Sequence, residues 1–312
     1  MRRGTVPSWT FPPYPAWNPI KSPRPQSSRM TRERPIEQVL ASLPTLEGAG
    51  VHLRRAFGPR EVPMLDPFLL LDDFRSDDPS HYLRGFPWHP HRGIETVTYM
   101  LEGRVEHGDS MGNTGTIGAG DMQWMTAGGG IIHQEMPKAG ARDKRMGGFQ
   151  LWVNLPARAK MMEPRYREVR SVDVPEVEPA PGVRVRVIAG RLGDAVGPAR
   201  DVIAEPEYLD VAIEAGRTYE HPLARGHTAF AYVFEGSGKF KGGRGAHGNG
   251  TLVLFGDGDA VTATAGKAPT RMLLVSGRPI GEPVAWGGPI VMNTDEELEE
   301  AFREYREGTF VR

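Results

Sequence analysis

From about residue 50 onward the apolar positions fall in short runs rich in Val, Ile, Thr, Tyr and Phe, separated by glycine-bearing turns. Glu95 to Leu101, Val183 to Ile188, Tyr208 to Ile213, Ala229 to Phe234, Thr251 to Phe255 and Met272 to Val275 are examples. Short strands at this density predict an all-β chain of barrels or sandwiches rather than βαβ units. Apolar runs such as Phe68-Leu69-Leu70-Leu71 fall far below the roughly 18 residues of a membrane span, so no membrane partner is expected.

The two ends break this pattern. Residues 1–30 hold seven prolines and scattered aromatics (Trp9, Phe11, Tyr14, Trp17) without periodicity, and the stretch 1–47 reads as a disordered, proline-rich N-terminal extension. Met30 is an alternative start. The extension has no continuous apolar core of a secretory signal, which implies a cytoplasmic protein. At the other end Thr294 and Glu297 have capping-box spacing. Leu298, Ala301, Phe302 and Tyr305 follow on one helical face and Gly308 sits at the C-cap position, predicting a short amphipathic helix that docks on the body.

Composition narrows the chemistry. The 39 glycines and 28 prolines make up about a fifth of the 312 residues, against about 12% in average usage, so connections are many. With no cysteine, disulfides, iron-sulfur clusters and cysteine nucleophiles are excluded, and any metal must be held by nitrogen and oxygen. The length suggests about two domains. A formal net charge of -1 argues against direct nucleic-acid binding.

An internal repeat supports the two-domain reading. Tyr99-Met100-Leu101-Glu102-Gly103 recurs as Tyr232-Val233-Phe234-Glu235-Gly236 at an offset of 133, and Gly120-Asp121 recurs as Gly258-Asp259 at an offset of 138. Two features in the same order favour a duplicated β-domain. Val174 to Gly182, with three prolines, reads as the linker between 48–173 and 183–312.

The chemistry concentrates in the first half, in His89-Pro90-His91 and His133-Gln134-Glu135. Residues two apart on a strand share a face, about 7 Å apart along the chain, so two such pairs on neighbouring strands can converge on one ion. A lone H-x-H is often an accident of a turn-rich loop; two pairs together point to a site. His89, His91, His133 and Glu135 form a donor set suited to Fe(II), Mn, Ni, Cu or Zn. Met122, Trp124 and Met125 either line a substrate cavity or are plain core, and the offsets land on no equivalent ligands in the second half. His221 and His227 there read as surface or hydrogen-bonded structural histidines. No nucleophile elbow, Walker A or H-E-x-x-H motif is present.

Gly85-Phe86-Pro87-Trp88-His89-Pro90-His91-Arg92-Gly93 through Gly103 resembles the signature of the pirin family of the cupin superfamily, as does Gly120 to Pro137. Gly148 to Pro156 and Met292-Asn293-Thr294 echo it. The resemblance covers about 48 to 312. It implies a bicupin with a metal only in the N-terminal barrel, a metal-free C-terminal barrel at 183–312, and a terminal helix packing back on the first. Carried over residue by residue, the ligands are His89, His91, His133 and Glu135, with Fe(II) the first metal expected. Glu95 stands where many cupins place a ligand, but here it is read as supporting or structural. The resemblance further implies quercetin 2,3-dioxygenase activity on a flavonol and O2, with Glu135 as candidate general base. The alternatives are a metal- or redox-sensing regulator with a protein partner, and a metal-stabilised bicupin without catalysis.

Overall fold

The computed structural model describes residues 31–60, 64–138, 144–200 and 202–311. Most of the expected disordered extension, residues 1–30, lies outside the described residues. The first strands are β1 (Ile36–Ala41), β2 (Leu43–Glu47), β3 (Val51–Phe57), β4 (Phe68–Asp73), β5 (Phe86–His91) and β6 (Ile94–Glu102). Next come β7 (Arg104–Asp109), β8 (Thr114–Gly118), β9 (Met122–Thr126), β10 (Ile131–Lys138) and β11 (Gly147–Asn154), then the one-turn helix α1 (Ala157–Lys160) and β12 (Arg165–Val169). The second half runs β13 (Glu176–Ala180), β14 (Val183–Ala189), β15 (Arg191–Leu192), β16 (Ala195–Val196), β17 (Glu207–Ile213), β18 (Thr218–Pro222) and β19 (Thr228–Glu235). It continues through β20 (Ser237–Phe240), β21 (His247–Gly248), β22 (Thr251–Phe255), β23 (Ala260–Ala265) and β24 (Thr270–Gly277), and ends in β25 (Ala285–Gly287), β26 (Ile290–Met292) and α2 (Asp295–Glu307).

These strands build two barrels of the same plan. The first pairs a sheet ordered β12-β9-β6-β11-β4-β3-β2 with one ordered β5-β10-β7-β8, and the second pairs β1-β22-β19-β24-β17-β14-β13 with β18-β23-β20-β21. Tyr99 on β6 and Tyr232 on β19 occupy the same place in the two orders, so the sequence repeat is a repeat of topology. The counterpart of β10, which carries His133 and Glu135, is β23, whose Val261 and Ala263 are buried among apolar side chains. The offset of 138 lands instead on Arg271 and Leu273 of β24; by either equivalence the second barrel has no matching ligands.

Two boundary expectations change. The stretch ending at residue 47 is not wholly an extension: β1 pairs antiparallel with β22 at the edge of the second barrel's large sheet, and β2 pairs with β3 in the first. Ile36–Ala41 has no buried position, as suits a strand at the edge of its sheet. Residues 174–182 are not a free linker either, because β13 pairs with β14. Its prolines are tolerated since β13 is the outermost strand of its sheet.

The core lies between the two large sheets. Phe57, Phe68, Val97, Tyr99, Trp124 and Phe149 of the first barrel pack against Tyr208, Phe230, Tyr232, Phe234 and Leu273 of the second. Phe230 meets Phe57 and Phe68 edge-on at 5.2 and 5.4 Å. Each large side chain buried here contributes about 1.5–3 kcal/mol.

After the second barrel the chain returns to the first. Arg92, 1% exposed, pairs with Glu304 of α2 at 2.6 Å, donates to the Phe310 carbonyl at 3.0 Å and lies over the Phe310 ring. Lys160 donates to the Gly93 and Val291 carbonyls and to Asn154 Oδ1. A Cβ on Gly93 would stand 1.9 Å from the Val291 carbonyl oxygen, at φ +76°, so only glycine permits this approach. The capping box of α2 forms between Thr294 and Glu297, and Gly308 caps its C-terminus in the left-handed region.

Candidate metal centre

β5 and β10 run antiparallel, with His133 opposite His89 and Ile131 opposite His91. The two-residue spacing turns both β5 histidines and His133 toward the barrel interior, where one nitrogen from each lies within 4.8 Å of the others. The Nε2 atoms of His89 and His91 are 3.1 Å apart, and the His133 ring centroid is 4.3 and 5.0 Å from those of His89 and His91. Their orientation is fixed from behind. His89 Nδ1 lies 2.9 Å from the Pro87 carbonyl and His91 Nδ1 lies 3.0 Å from the Pro289 carbonyl, which leaves each Nε2 as the free lone pair, the arrangement of a ligating imidazole.

Burial and the neighbouring histidines favour the neutral form. Desolvation first, then His89, pulls the His91 pKa down to about 3, the Pro289 carbonyl opposing. Desolvation, then His91, His89 and His107, takes His133 well below its ordinary value. Neutral imidazole is the form that binds a metal. His133 is fully buried and neither of its ring nitrogens has a hydrogen-bond partner in the protein. A buried polar atom left unpaired is costly unless something else satisfies it. A divalent ion held by the three histidines fits this donor set and accounts for one of those two unpaired nitrogens.

Glu135 lies outside the three-histidine group. A register shift between His133 and Glu135 sets the latter opposite Phe86, and its carboxylate sits in a hydrogen-bonded chain. Thr98 Oγ1 donates to Oε1 at 2.9 Å, Gln150 Nε2 donates to Oε2 at 2.9 Å, and Trp152 Nε1 donates to Gln150 Oε1 at 3.1 Å. Each carboxylate oxygen keeps a lone pair free.

Sequence reasoning passed over several neighbours. His107 stacks on Tyr166 at 4.3 Å, lies 5.5 Å from His133 and places Nε2 3.1 Å from Asp109 Oδ2. Asp109 also accepts from Met111, Asn113 N and Asn113 Nδ2, which holds its pKa down despite burial. His107-x-Asp109 and Gln150-x-Trp152 carry the same two-residue spacing that singled out the ligand pairs. Thr98 and Pro289 carry no such signal.

Other expectations resolve as core or support. Met122 and Trp124 pack in the layer between the barrels and Met125 packs with Ile94 and Ile131; Trp124 also lines a cavity on the face of the sheet away from the histidines. Glu95 is on the face of β6 opposite Thr98, since side chains alternate along a strand, and accepts from Thr126 Oγ1 at 2.7 Å. In the second barrel His221 is buried between Tyr219 and Glu207, and the His227 carbonyl accepts from Arg34. The cavity beside Glu135, walled by Leu53, Phe74, Phe86, Val105 and Met146, measures about 20 Å³, the room of a water molecule.

The Pirin family model matches residues 50–153, and the Pirin C-terminal cupin domain model matches 208–311. The chain belongs to the pirin family. A pirin-like protein of Caulobacter vibrioides is 47% identical over 283 residues, 89% of this chain and 99% of that one. One from Solanum lycopersicum is 41% identical over 290 residues, 90% of this chain and 94% of its own. A crystal structure titled quercetin 2,3-dioxygenase, from Acinetobacter baumannii, superposes with a TM-score of 0.83 at 31% identity, covering 89% of this chain and 98% of that one. The bicupin plan of this pirin is thus shared with a solved structure that bears a dioxygenase title.

Proposed function

We propose that this pirin is a cytoplasmic, mononuclear metal-dependent dioxygenase of the quercetin 2,3-dioxygenase type, opening a flavonol ring with O2. The observation that carries the reading is the convergence of three imidazoles, His89, His91 and His133, beside a buried carboxylate on the same strand as His133. In this reading Glu135, outside the three-histidine group, would supply the oxygen donor through a lone pair left free by Thr98 and Gln150. Three nitrogens and one oxygen are compatible with Fe(II), Mn, Ni, Cu and Zn, and the family resemblance puts Fe(II) first. When bound, the ion supplies a Lewis-acidic, redox-capable centre with open positions for substrate and O2.

The chain's own groups supply the rest. Glu135 takes the flavonol 3-hydroxyl proton on a carboxylate oxygen, and Thr98 and Gln150 orient the carboxylate, one through each oxygen. The apolar wall of Leu53, Phe74, Phe86 and Met146 excludes water. A cavity of about 20 Å³ is far below the roughly 300 Å³ of a drug-sized ligand site. Flavonol entry therefore requires the wall or the half-buried His89 side of the barrel to move. The same tightness favours a second reading, a metal- or redox-sensing regulator that binds a protein partner and needs no substrate room.

The test is anaerobic purification with metal quantitation, followed by O2 uptake with quercetin in wild type, His133→Ala and Glu135→Gln. Metal-dependent uptake that vanishes in His133→Ala is the expected result. Glu135→Gln should keep much of its metal and lose turnover. No metal-dependent uptake in metal-loaded wild type overturns the dioxygenase reading and leaves the regulatory one.

A further inference from the structure

The outward face of β6, β9 and β12 carries a second constellation, on the opposite side of the sheet from Thr98 and Glu135. Glu95 pairs across the sheet with Thr126 and Thr126 with Arg165, while Trp124 pairs with Arg167. Residues paired in register share a face, so the Glu95 carboxyl, the Thr126 hydroxyl and two guanidinium stems gather on one patch. With Arg200 they surround a cavity of about 280 Å³.

The guanidiniums on this patch lack ion-pair partners. Among the described residues Arg165 donates to Met162 Sδ, at 3.9 Å, and Arg167 donates to the Pro198 and Arg200 carbonyls. Among the described residues no carboxylate lies within ion-pairing distance of any of the three arginines, whereas Arg55, Arg75, Arg92, Arg225 and Arg271 all have one. Glu95, 1% exposed, lines the same cavity with Oε2 lacking a hydrogen-bond partner. Burial raises its pKa, against the Thr126 hydrogen bond, the nearby Trp124 N–H and the pull of Arg165 and Arg167. A carboxyl shifted toward its protonated form offers an O–H donor where a second carboxylate would repel.

We propose that this cavity binds a small anion bearing a carboxylate or phosphate, with Arg165 and Arg167 pairing to its oxygens, Arg200 at the rim, and Glu95 Oε2 at the floor. Guanidinium is the side chain best matched to such planar or tetrahedral oxyanions. The volume sits at the lower edge of small-molecule pockets and holds a benzoate-sized acid against the Trp124 wall. The site is independent of the histidine cluster, being on the other face of the sheet.

The test is calorimetric titration of the metal-loaded protein with benzoate and with inorganic phosphate, using benzamide as the uncharged control. Saturable binding of either anion, weakened by added salt and absent for benzamide, is expected. Benzoate alone would assign a carboxylate ligand, and phosphate alone a phosphate. Arg165→Gln together with Arg167→Gln should weaken binding about tenfold or more, as loss of charge-assisted hydrogen bonds does, with metal content unchanged. Arg165→Gln alone, which disturbs no backbone hydrogen bond, should weaken it in the same direction. No saturable binding of either anion up to about 10 mM, or an affinity unmoved by the double substitution, overturns the proposal.

Discussion

The Tyr99 hydroxyl of the first barrel donates to Asp210 Oδ2 of the second at 2.7 Å. Its counterpart in the repeat, Tyr232, donates to Asp73 Oδ2 of the first barrel at 2.8 Å. The two tyrosines of the repeated Y-x-x-E-G segment thus cross the interface in opposite directions, each onto an aspartate of the equivalent strand, β17 or β4. Arg271 clamps Asp210 with two hydrogen bonds, and Arg75 binds Asp73 through both oxygens. Burial, then the aspartate beside each phenol, raises both tyrosine pKa values, so both remain donors at neutral pH.

The Asp210 side of this pair should be decisive for stability. Asp210 is 2% exposed and receives Tyr99 and Arg271 together. Asp210→Ala removes the shared buried acceptor of Tyr99 and of the partly exposed Arg271, which keeps Glu235, and should cost about 3 kcal/mol, whereas Tyr99→Phe, removing one hydroxyl, should cost about 1 kcal/mol. Urea unfolding measures both. An Asp210→Ala loss no larger than that of Tyr99→Phe would show that the buried charges are compensated elsewhere.

Metal loading should stabilise the fold through the same residues that hold the ion. At a free metal concentration about 100 times Kd, linkage adds about 2.7 kcal/mol. Thermal melts with and without chelator should show this rise in wild type and lose it in His133→Ala. Metal-induced stabilisation that persists in His133→Ala would place the ion elsewhere.

How far the chain could be read in advance follows from which signals are local. The three converging histidines were legible because two-residue spacing on a strand is a local rule, and the barrels because each strand carries its own alternation. What escaped is set by tertiary partners. Pro289 orients His91 from 198 residues away with only a backbone carbonyl, which any residue could supply. β1 and β13 are edge strands, half solvent-facing and carrying prolines or polar residues, and such segments look like extension or linker until a partner strand is placed beside them. The fixed offsets chose the wrong equivalents for His133 and Glu135 because insertions between strands shift the count while the sheet order is kept.

The metal-free protein should lose stability in mild acid. The unfolded chain protonates His91 near the ordinary 6.5, the folded chain only at about 3, so between those values the unfolded state binds more protons and stability rises with pH. The contribution is fully present above about 6.5 and falls by about 1.4 kcal/mol per pH unit below it. Comparing chemical unfolding of metal-free wild type and His91→Asn between about pH 6 and pH 4.5 isolates this slope. Equal slopes would mean that His91 is not held neutral by the fold.

Gln150 should matter for turnover more than for metal. It holds one oxygen of Glu135 at 2.9 Å while its own carbonyl is fixed by Trp152, so its action on the site runs through the carboxylate rather than through any histidine. Gln150→Ala leaves the three imidazoles and their Pro87 and Pro289 supports untouched. The carboxylate then loses one donor and its orientation loosens. A positioning role predicts quercetin-dependent O2 uptake lowered about tenfold in kcat, in line with the cost of misplacing a proton-transfer group, with metal content within error of wild type. It also predicts a KM for quercetin close to that of wild type, because the loss falls on the proton-transfer step rather than on binding. A raised KM with kcat unchanged would instead assign Gln150 to packing of the barrel wall.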